Sequence, residues 1–348
     1  MKILRYMLVF IPISILAKFL NTSDSIMFIL ACLSIIPLAG LIGESTEEIS
    51  FYSGAKIGGF LNGTFGNATE LITSFFALKE GFFDVVKSSI SGSVVGNILL
   101  VIGASMLAGG IKYKTQKFNK KVSEVSSTML LFSVLGLCIP ALFTHTVSPK
   151  LLNTRYEGLS VFVAIIMIII YVLSLFFSFS THKDIYNNND EKQGGTSKWS
   201  LKKAIFVLIF STVLIAIESE FLVNGIEPIT ESLGWSQFFV GIIVIPIIGN
   251  AAEHTTAIVM ARKNEMDVAL EIAIGSSLQI ILFVAPVLIF LSLFFTPMSI
   301  VFNPFELIAL IASVLIANRV SNDGESNWLE GVQLLAVYLI IAASFFIL

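Results

Sequence analysis

The sequence predicts an all-α polytopic membrane protein of about 11 transmembrane helices, built as one leading helix plus two inverted five-helix repeats. Three observations carry this reading. Of 348 residues, 55% are hydrophobic and only 13% charged, about half the roughly 25% charge of a soluble domain. The apolar residues fall in runs of about 20 separated by short polar breaks, the length that crosses a hydrocarbon core about 30 Å thick. A short polar motif inside one such run recurs in a second. Continuous rather than alternating runs argue against a β-barrel. The composition excludes a cytosolic enzyme, a nucleic-acid binder and a disulfide-stapled secreted domain. Cys32 and Cys138 both lie inside apolar runs and read as core residues. A net charge of −3 names no partner.

Eleven apolar segments, bounded by turn-forming residues, run approximately over 3–20, 25–43, 57–79, 84–109, 124–145, 157–180, 201–224, 236–262, 268–294, 303–319 and 329–348. Lys2 and Arg5 ahead of the first segment resemble the start of a signal peptide, but Ala17-Lys18-Phe19 is a poor small-x-small cleavage site. The first segment is therefore expected to be retained. Sixteen Lys and Arg residues fall on the side of the N-terminus and five on the other. The positive-inside rule then places the N-terminus in the cytoplasm and the C-terminus outside, in a multi-pass protein of the cell inner (plasma) membrane. An even number of helices would break this asymmetry. Thr181 to Lys198, with its Asn run and Gly194-Gly195, is the one clear linker and falls on the cytoplasmic side. The expected division is a leading helix (1–24), a first repeat (25–180), a linker (181–200) and a second repeat (201–348).

The repeat is visible directly. Gly66-Asn67-Ala68-Thr69-Glu70 returns 183 residues later as Gly249-Asn250-Ala251-Ala252-Glu253. At the same offset Thr73 matches Thr256, Asp84 matches Asp267, Gly92-Ser93 matches Gly275-Ser276, and Glu44 and Glu48 match Glu227 and Glu231. Five helices per repeat is an odd number, so the second repeat is inverted across the membrane. The two motifs then meet antiparallel near the midplane, a recurring plan of secondary transporters.

A carboxylate at bilayer depth costs at least about 2.5–3.5 kcal/mol on insertion scales. Glu70 and Glu253 are the clear mid-span carboxylates and need a cavity or a partner. Asn67 and Glu70 are three residues apart, as are Asn250 and Glu253, which on a helix places amide and carboxylate on one face. Gly66, Gly249, Gly63 and Pro246 weaken the helix nearby and free backbone carbonyls, which are tolerated only where they line a cavity or bind something. Two carboxylates with amide and carbonyl oxygens make a hard-cation site suited to Ca²⁺. Emptied of its cation, such a pair takes up protons, so protons and Ca²⁺ compete for one site. Two protons per Ca²⁺ is the simplest model.

The neighbouring segments carry Ser89, Ser91, Ser93 and Asn97, and Ser276, Ser277 and Gln279. These residues either support the glutamates or make ordinary interhelical hydrogen bonds; for Asn97 and Gln279 the site is the favoured reading. His254 has two readings, a gating or proton-handling residue and a histidine bonded to a neighbouring helix. Glu44, Glu47 and Glu48, and Glu218, Glu220, Glu227 and Glu231, read equally as cation-attracting vestibules or as solvated helix ends. The lysine run from Lys112 to Lys121 reads as a topology determinant that also touches anionic lipid.

GNATELITSFFAL in the third segment and GNAAEHTTAI in the eighth resemble the two signature regions of the calcium/proton exchanger (CAX) family, within the calcium/cation antiporter superfamily. GSSLQI in the ninth segment and GS-x-x-GN in the fourth resemble that family's pattern too, and the likeness spans the whole chain. The resemblance implies a Ca²⁺/H⁺ antiporter exporting cytosolic Ca²⁺ by alternating access. Glu70 and Glu253 would bind the cation, supported by Asn67, Asn250, Ser93, Asn97, Ser276 and Gln279. His254 stands where the family carries a histidine that sodium-coupled relatives lack, and the resemblance implies a homo-oligomer, a trimer. The short start and the linker, holding only Asp184, Asp190 and Glu191, depart from eukaryotic members with regulatory N-termini and acidic loops, and suit a prokaryotic member. Ca²⁺ and H⁺ are thus the expected substrates, with Mn²⁺ and other divalent cations open, in a lipid bilayer and with no cofactor or nucleic acid. Na⁺/Ca²⁺ exchange is the runner-up. A passive channel and an intramembrane enzyme are the alternatives from other classes; the chain has neither HExxH nor a GxSxG elbow.

Overall fold

The computed structural model describes residues 2–54, 58, 61, 64–144, 152–182, 197–320 and 323–347. Lys56, Gly63 and most of the predicted linker lie outside them. The first predicted segment is two helices, α1 (Lys2–Met7) and α2 (Phe10–Phe19). Pro12 explains the break: its ring presses on the carbonyl four residues back, at Leu8, and it offers no N–H to it. The second, α3 (Asp24–Ser53), runs 30 residues and continues through the acidic stretch beyond position 43. It stops where Gly54 takes φ +83°, a conformation L side chains rarely adopt.

In the third segment a turn at Gly66–Asn67 precedes α4 (Ala68–Lys79). The fourth comprises α5 (Phe83–Val95), a π-helical stretch (Gly96–Val101) and α6 (Ile102–Gly110). Next come α7 (Lys120–Thr144), α8 (Leu152–Phe176) with a π-helical end, and α9 (Leu201–Asn224). A short α10 (Ile226–Leu233), which the sequence did not suggest, is bent by 116° from the segment that follows. That eighth segment is broken into α11 (Gln237–Phe239), a π-helical stretch (Val240–Val244), α12 (Ile245–Gly249) and α13 (Ala251–Arg262). The ninth holds α14 (Met266–Gln279), a π-helical stretch (Ile280–Val284) and α15 (Ala285–Ser292). α16 (Pro304–Val320) and α17 (Trp328–Ile347) complete the chain. A two-residue antiparallel pair, β1 (Gln116–Lys117) with β2 (Glu325–Ser326), ties two loops together.

Among the described residues seven helices are each long and apolar enough to cross a membrane, or eight if the bent pair counts as one span. The remaining predicted segments are interrupted or short: the leading one is split, the motif-bearing ones are broken, and α16 has 17 residues. The repeat extends to secondary structure. The 183-residue offset carries the first and last residues of α4 onto those of α13. It also superimposes the π-helical stretches of the fourth and ninth segments to within a residue at their start.

α3 and α9, equivalent members of the two repeats, pack along one another, with α2 lying on α3. This group has its own apolar core, including Ile11, Leu38, Ile42, Ala204, Leu208 and Ile215. The larger core joins the remaining helices and contains Val94, Ile98, Leu130, Ile281 and Leu288. Close helix crossings are made at glycines. The outer flanks of α8 and α9 expose Phe162, Ile169, Leu173, Phe206 and Phe210, as helices solvated by lipid do.

Apart from half-buried Glu44, which pairs with Arg5 at 3.6 Å, the acidic helix ends divide into two kinds. Glu47, Glu220, Glu227 and Glu231 are exposed. Glu48 is buried and grips the start of α9: its Oε2 accepts the Ser197 hydroxyl at 2.7 Å, the Lys198 N–H at 2.9 Å and the Trp199 N–H at 3.1 Å. Glu218 is fully buried. For these two, neither a vestibule nor a solvated end describes the surroundings.

Candidate functional site

Both motifs sit at the start of a helix. Asn67 (φ −99°, ψ 21°) and Asn250 (φ −91°, ψ 5°) are the N-cap residues of α4 and α13, so Glu70 and Glu253 are each the third residue of a new helix. The sequence expectation of amide and carboxylate on one continuous helix face is thereby corrected: the amide precedes the helix. Carboxylates in a first turn are favoured by the helix dipole. Asn is a preferred N-cap residue because its side chain can bond the first free N–H groups, yet neither amide does so here. Both are used across the repeat boundary instead.

Asn67 Nδ2 donates to Gln279 Oε1 at 2.6 Å, and the Ser276 hydroxyl donates to Asn67 Oδ1 at 3.0 Å. Asn250 Nδ2 donates to Ser93 Oγ at 3.2 Å and to Pro246 O at 3.0 Å. Ser93 and Ser276 are themselves equivalent at the 183-residue offset. Each motif amide is therefore held by the same serine of the opposite repeat, which interlocks α4 with α14 and the α12–α13 break with α5. His254 Nε2 lies 3.1 Å from Asn97 Oδ1, at the start of the π-helical stretch. A π-bulge of this kind often marks a functional site. Ser277 bonds only to Ala273 of its own helix, as a packing serine does.

Glu70 reaches across to Gly249, in the turn that carries Asn250, and Glu253 lies in the first turn of the helix that follows. Glu70 is 3% exposed, and Glu253 lies near enough for the two to repel when both are ionised. A Cβ on Gly249 would stand 2.6 Å from Glu70 Oε1, so glycine at that position makes room for the carboxylate. Gly66 holds the equivalent position in the turn before α4. Buried polar atoms nearly always have a partner. Here both oxygens of Glu70, Oε2 of Glu253, Oδ1 of Asn250 and Nδ2 of Asn97 have none. Four orphan oxygens on and beside two carboxylates, with no basic group in ion-pair contact among the described residues, suit a hard cation or protons.

Residues 24–180 and 203–347 match the model of the family described as sodium/calcium exchanger protein. The chain belongs to the sodium/calcium exchanger protein family. Over 98% of its length it is 47% identical to a protein named Ca(2+)/H(+) antiporter from Aphanothece halophytica, of which 95% is covered. It is 45% identical to the Ca(2+)/H(+) antiporter ChaA of Bacillus subtilis (strain 168), with 97% of each chain covered. The crystal structure of the Ca2+/H+ antiporter protein YfkE is similar at a TM-score of 0.87 and 42% identity, covering 100% of both chains. The resemblance carried by the two motifs thus holds for the whole chain. Membership of the sodium/calcium exchanger family also makes it a polytopic integral membrane protein, and a transporter rather than an enzyme.

The two repeats of this family member are not in the same state. Thr73 is buried and its hydroxyl lies 2.9 Å from that of Ser219 on α9. Its equivalent Thr256 is exposed and bonds only to Ala252 of its own helix. A Cβ on Gly92 would collide with the backbone of Ile242, whereas one on Gly275 would meet nothing within 4 Å among the described residues. The flank along α4 is closed and the flank along α13 is open.

Proposed function

We propose that this protein is a secondary active antiporter that exports cytosolic Ca²⁺ in exchange for protons, with Glu70 and Glu253 as the shared Ca²⁺/proton site. The observation that carries the proposal is the cluster of buried orphan oxygens on two carboxylates, Glu70 buried and Glu253 half-buried, each in one copy of an inverted motif. Asn250, Asn67 and the backbone carbonyls at Gly66 and Gly249 complete the oxygen shell. Ser93, Ser276 and Gln279 hold the amides, and Asn97 holds His254, which handles the proton near Glu253. With Ca²⁺ bound, two negative charges are neutralised. When it leaves, the repulsion between two carboxylates in a low-dielectric site is relieved by protons. Only the neutralised forms cross, and that rule is sufficient for exchange.

Alternating access follows from the asymmetry between repeats: exchanging the states of the α4 and α13 flanks closes one side and opens the other. With the N-terminus in the cytoplasm, the open flank along α13 leads to the side bearing Arg262 and Lys263, so the conformation is cytoplasm-facing. Residues 25–180 and 201–348 form the exchanging halves, 1–24 the leading helix and 181–200 the linker. The protein resides in the plasma membrane, and trimer assembly is part of the same reading.

Reconstitution into proteoliposomes tests the proposal. Ca²⁺ uptake is expected to follow an imposed pH gradient and to ignore a sodium gradient of the same size. Uptake driven by sodium and indifferent to pH would replace proton coupling by sodium coupling.

A further inference from the structure

Among the described residues, one buried carboxylate lies outside both motifs and is not explained by helix capping. Glu306 is also buried, but it accepts the Asn303 N–H at 2.7 Å and the Ser91 hydroxyl at 3.0 Å, so both its oxygens are used at the start of α16. Glu218 differs. It is 0% exposed, six residues before the end of α9, in the seam where α9 meets α3 and α2. Its Oε1 contacts the hydroxyl of Ser14 on α2, its Oε2 has no partner, and the buried hydroxyl of Ser34 on α3 lies beside it.

The donor count around Ser14 is informative. Its oxygen lies within hydrogen-bonding distance of both Ile11 O, at 2.8 Å, and Glu218 Oε1. One serine hydroxyl carries one proton, and a backbone carbonyl only accepts. That proton is either shared between the two acceptors, as the Ser91 hydroxyl is shared among Glu306, Ser88 O and Lys87 O, or goes to Ile11 while Glu218 donates to Ser14 as a carboxylic acid. The surrounding charges are consistent with a neutral group. The acidic and basic residues on the packed elements, besides Glu218 itself, are Lys18 on α2, Asp24, Glu44, Glu47 and Glu48 on α3, Glu70 and Lys79 on α4, and Lys202, Lys203 and Glu220 on α9. Lys18 turns its ammonium over the ring of Phe221, 5.6 Å from the centroid. No ion pair reaches Glu218 among the described residues.

Position adds a second argument. Ser219, next along α9, meets Thr73 on the closed flank, one turn beyond Glu70. At the 183-residue offset Glu218 and Ser219 correspond to Ile35 and Ile36. The acid and the hydroxyl therefore break the pseudo-symmetry and belong to one flank only, the flank that must open in the other conformation.

We propose that Glu218 is a further proton-binding residue of this protein, holding a proton in the seam between α2, α3 and α9 and releasing it when that seam parts. This rests on the reading of the protein as proton-coupled. Infrared spectra of the purified protein at neutral pH, taken in the Glu70→Gln, Glu253→Gln background, test it without transport. A protonated-carboxyl band is expected that disappears with Glu218→Gln and shifts with Ser14→Ala. An identical band region in both variants would overturn the proposal. In proteoliposomes with the motif intact, Glu218→Gln should keep Ca²⁺ affinity within about twofold. It should also remove one proton-dependent limb, a rate change of about tenfold per pH unit, from the pH profile of Ca²⁺ flux. A uniform slowing at every pH, with the profile's shape kept, would assign Glu218 a packing role only. If Glu218→Gln does not accumulate, Glu218→Asp and Ser14→Ala should each shift the band and the proton-dependent limb without removing them, and no shift in either would overturn the proposal. Failure of the antiport reading would appear separately, as absent pH-driven flux in the unaltered protein.

Discussion

Replacing either motif glutamate by its amide isostere is expected to abolish exchange while leaving the fold in place. Glu70→Gln and Glu253→Gln change no volume and remove no apolar contact, so the helices still pack. Each variant leaves a divalent cation facing a single carboxylate. Breaking one half of a buried charge interaction costs about 3–5 kcal/mol, which is a loss of affinity of about a hundredfold or more. Each also removes one proton acceptor, so the empty carrier no longer needs two protons to become neutral. Calcium binding to detergent-purified protein and Ca²⁺ uptake into proteoliposomes should both fall by that order, with gel-filtration behaviour unchanged. Full exchange in both variants would remove the glutamates from the site.

Two equivalent glycines should respond in opposite ways to the same substitution. Gly92→Ala places a methyl group 2.8 Å from Ile242 Cα, against backbone that has no freedom to yield. Overpacking of this kind costs about 1–3 kcal/mol and sometimes more, and membrane helices depend on small residues at such crossings. The thermal midpoint of the purified protein should drop. Gly275→Ala meets nothing within 4 Å among the described residues, so its midpoint should stay where it is. If the states of the two flanks exchange during transport, Gly275 takes the crowded position in the other conformation. Its alanine variant is then expected to be stable but slow, held with the α13 flank open. Equal thermal shifts for the two variants would contradict the asymmetry between the repeats, and a stable Gly275→Ala with an unchanged transport rate would argue that the asymmetry is fixed rather than exchanged.

Much of the architecture was legible because bilayer thickness sets helix length. The seventh segment matches α9 residue for residue: Ser200 caps its start by accepting the Lys203 N–H, and Asn224-Gly225 ends it. Hydropathy failed where helix and apolar run do not coincide. α3 continues past position 43 because Glu44, Glu47 and Glu48 are compatible with helix, and only Gly54 stops it. The break before Phe10 was written in Pro12 but hidden by an unbroken apolar run. The π-helical stretches left no single-residue signal, although Gly96-Asn97 falls at the start of one.

At the site, the repeat made the paired carboxylates and amides readable. Which serine meets which amide depends on how two inverted halves interlock, information that no local window contains. The equivalence of Ser93 and Ser276 at the motif offset was the available clue. Glu218 was passed over because a carboxylate six residues from a helix end reads as solvated, and the leading helix that buries it lies some two hundred residues away in sequence. His254 could not be placed from its neighbour Glu253, since adjacent helical residues point about 100° apart; its contact with Asn97 comes from tertiary packing.

The central claim is that Ca²⁺ and protons compete for one pair of carboxylates. Its most direct test is proton release on Ca²⁺ binding, followed with a pH indicator in weakly buffered, detergent-purified protein. The account predicts that Ca²⁺ addition at neutral pH releases protons, up to about two per cation bound, and that Glu70→Gln with Glu253→Gln releases none. Stoichiometric Ca²⁺ binding with no proton release, or release that survives both substitutions, would contradict it.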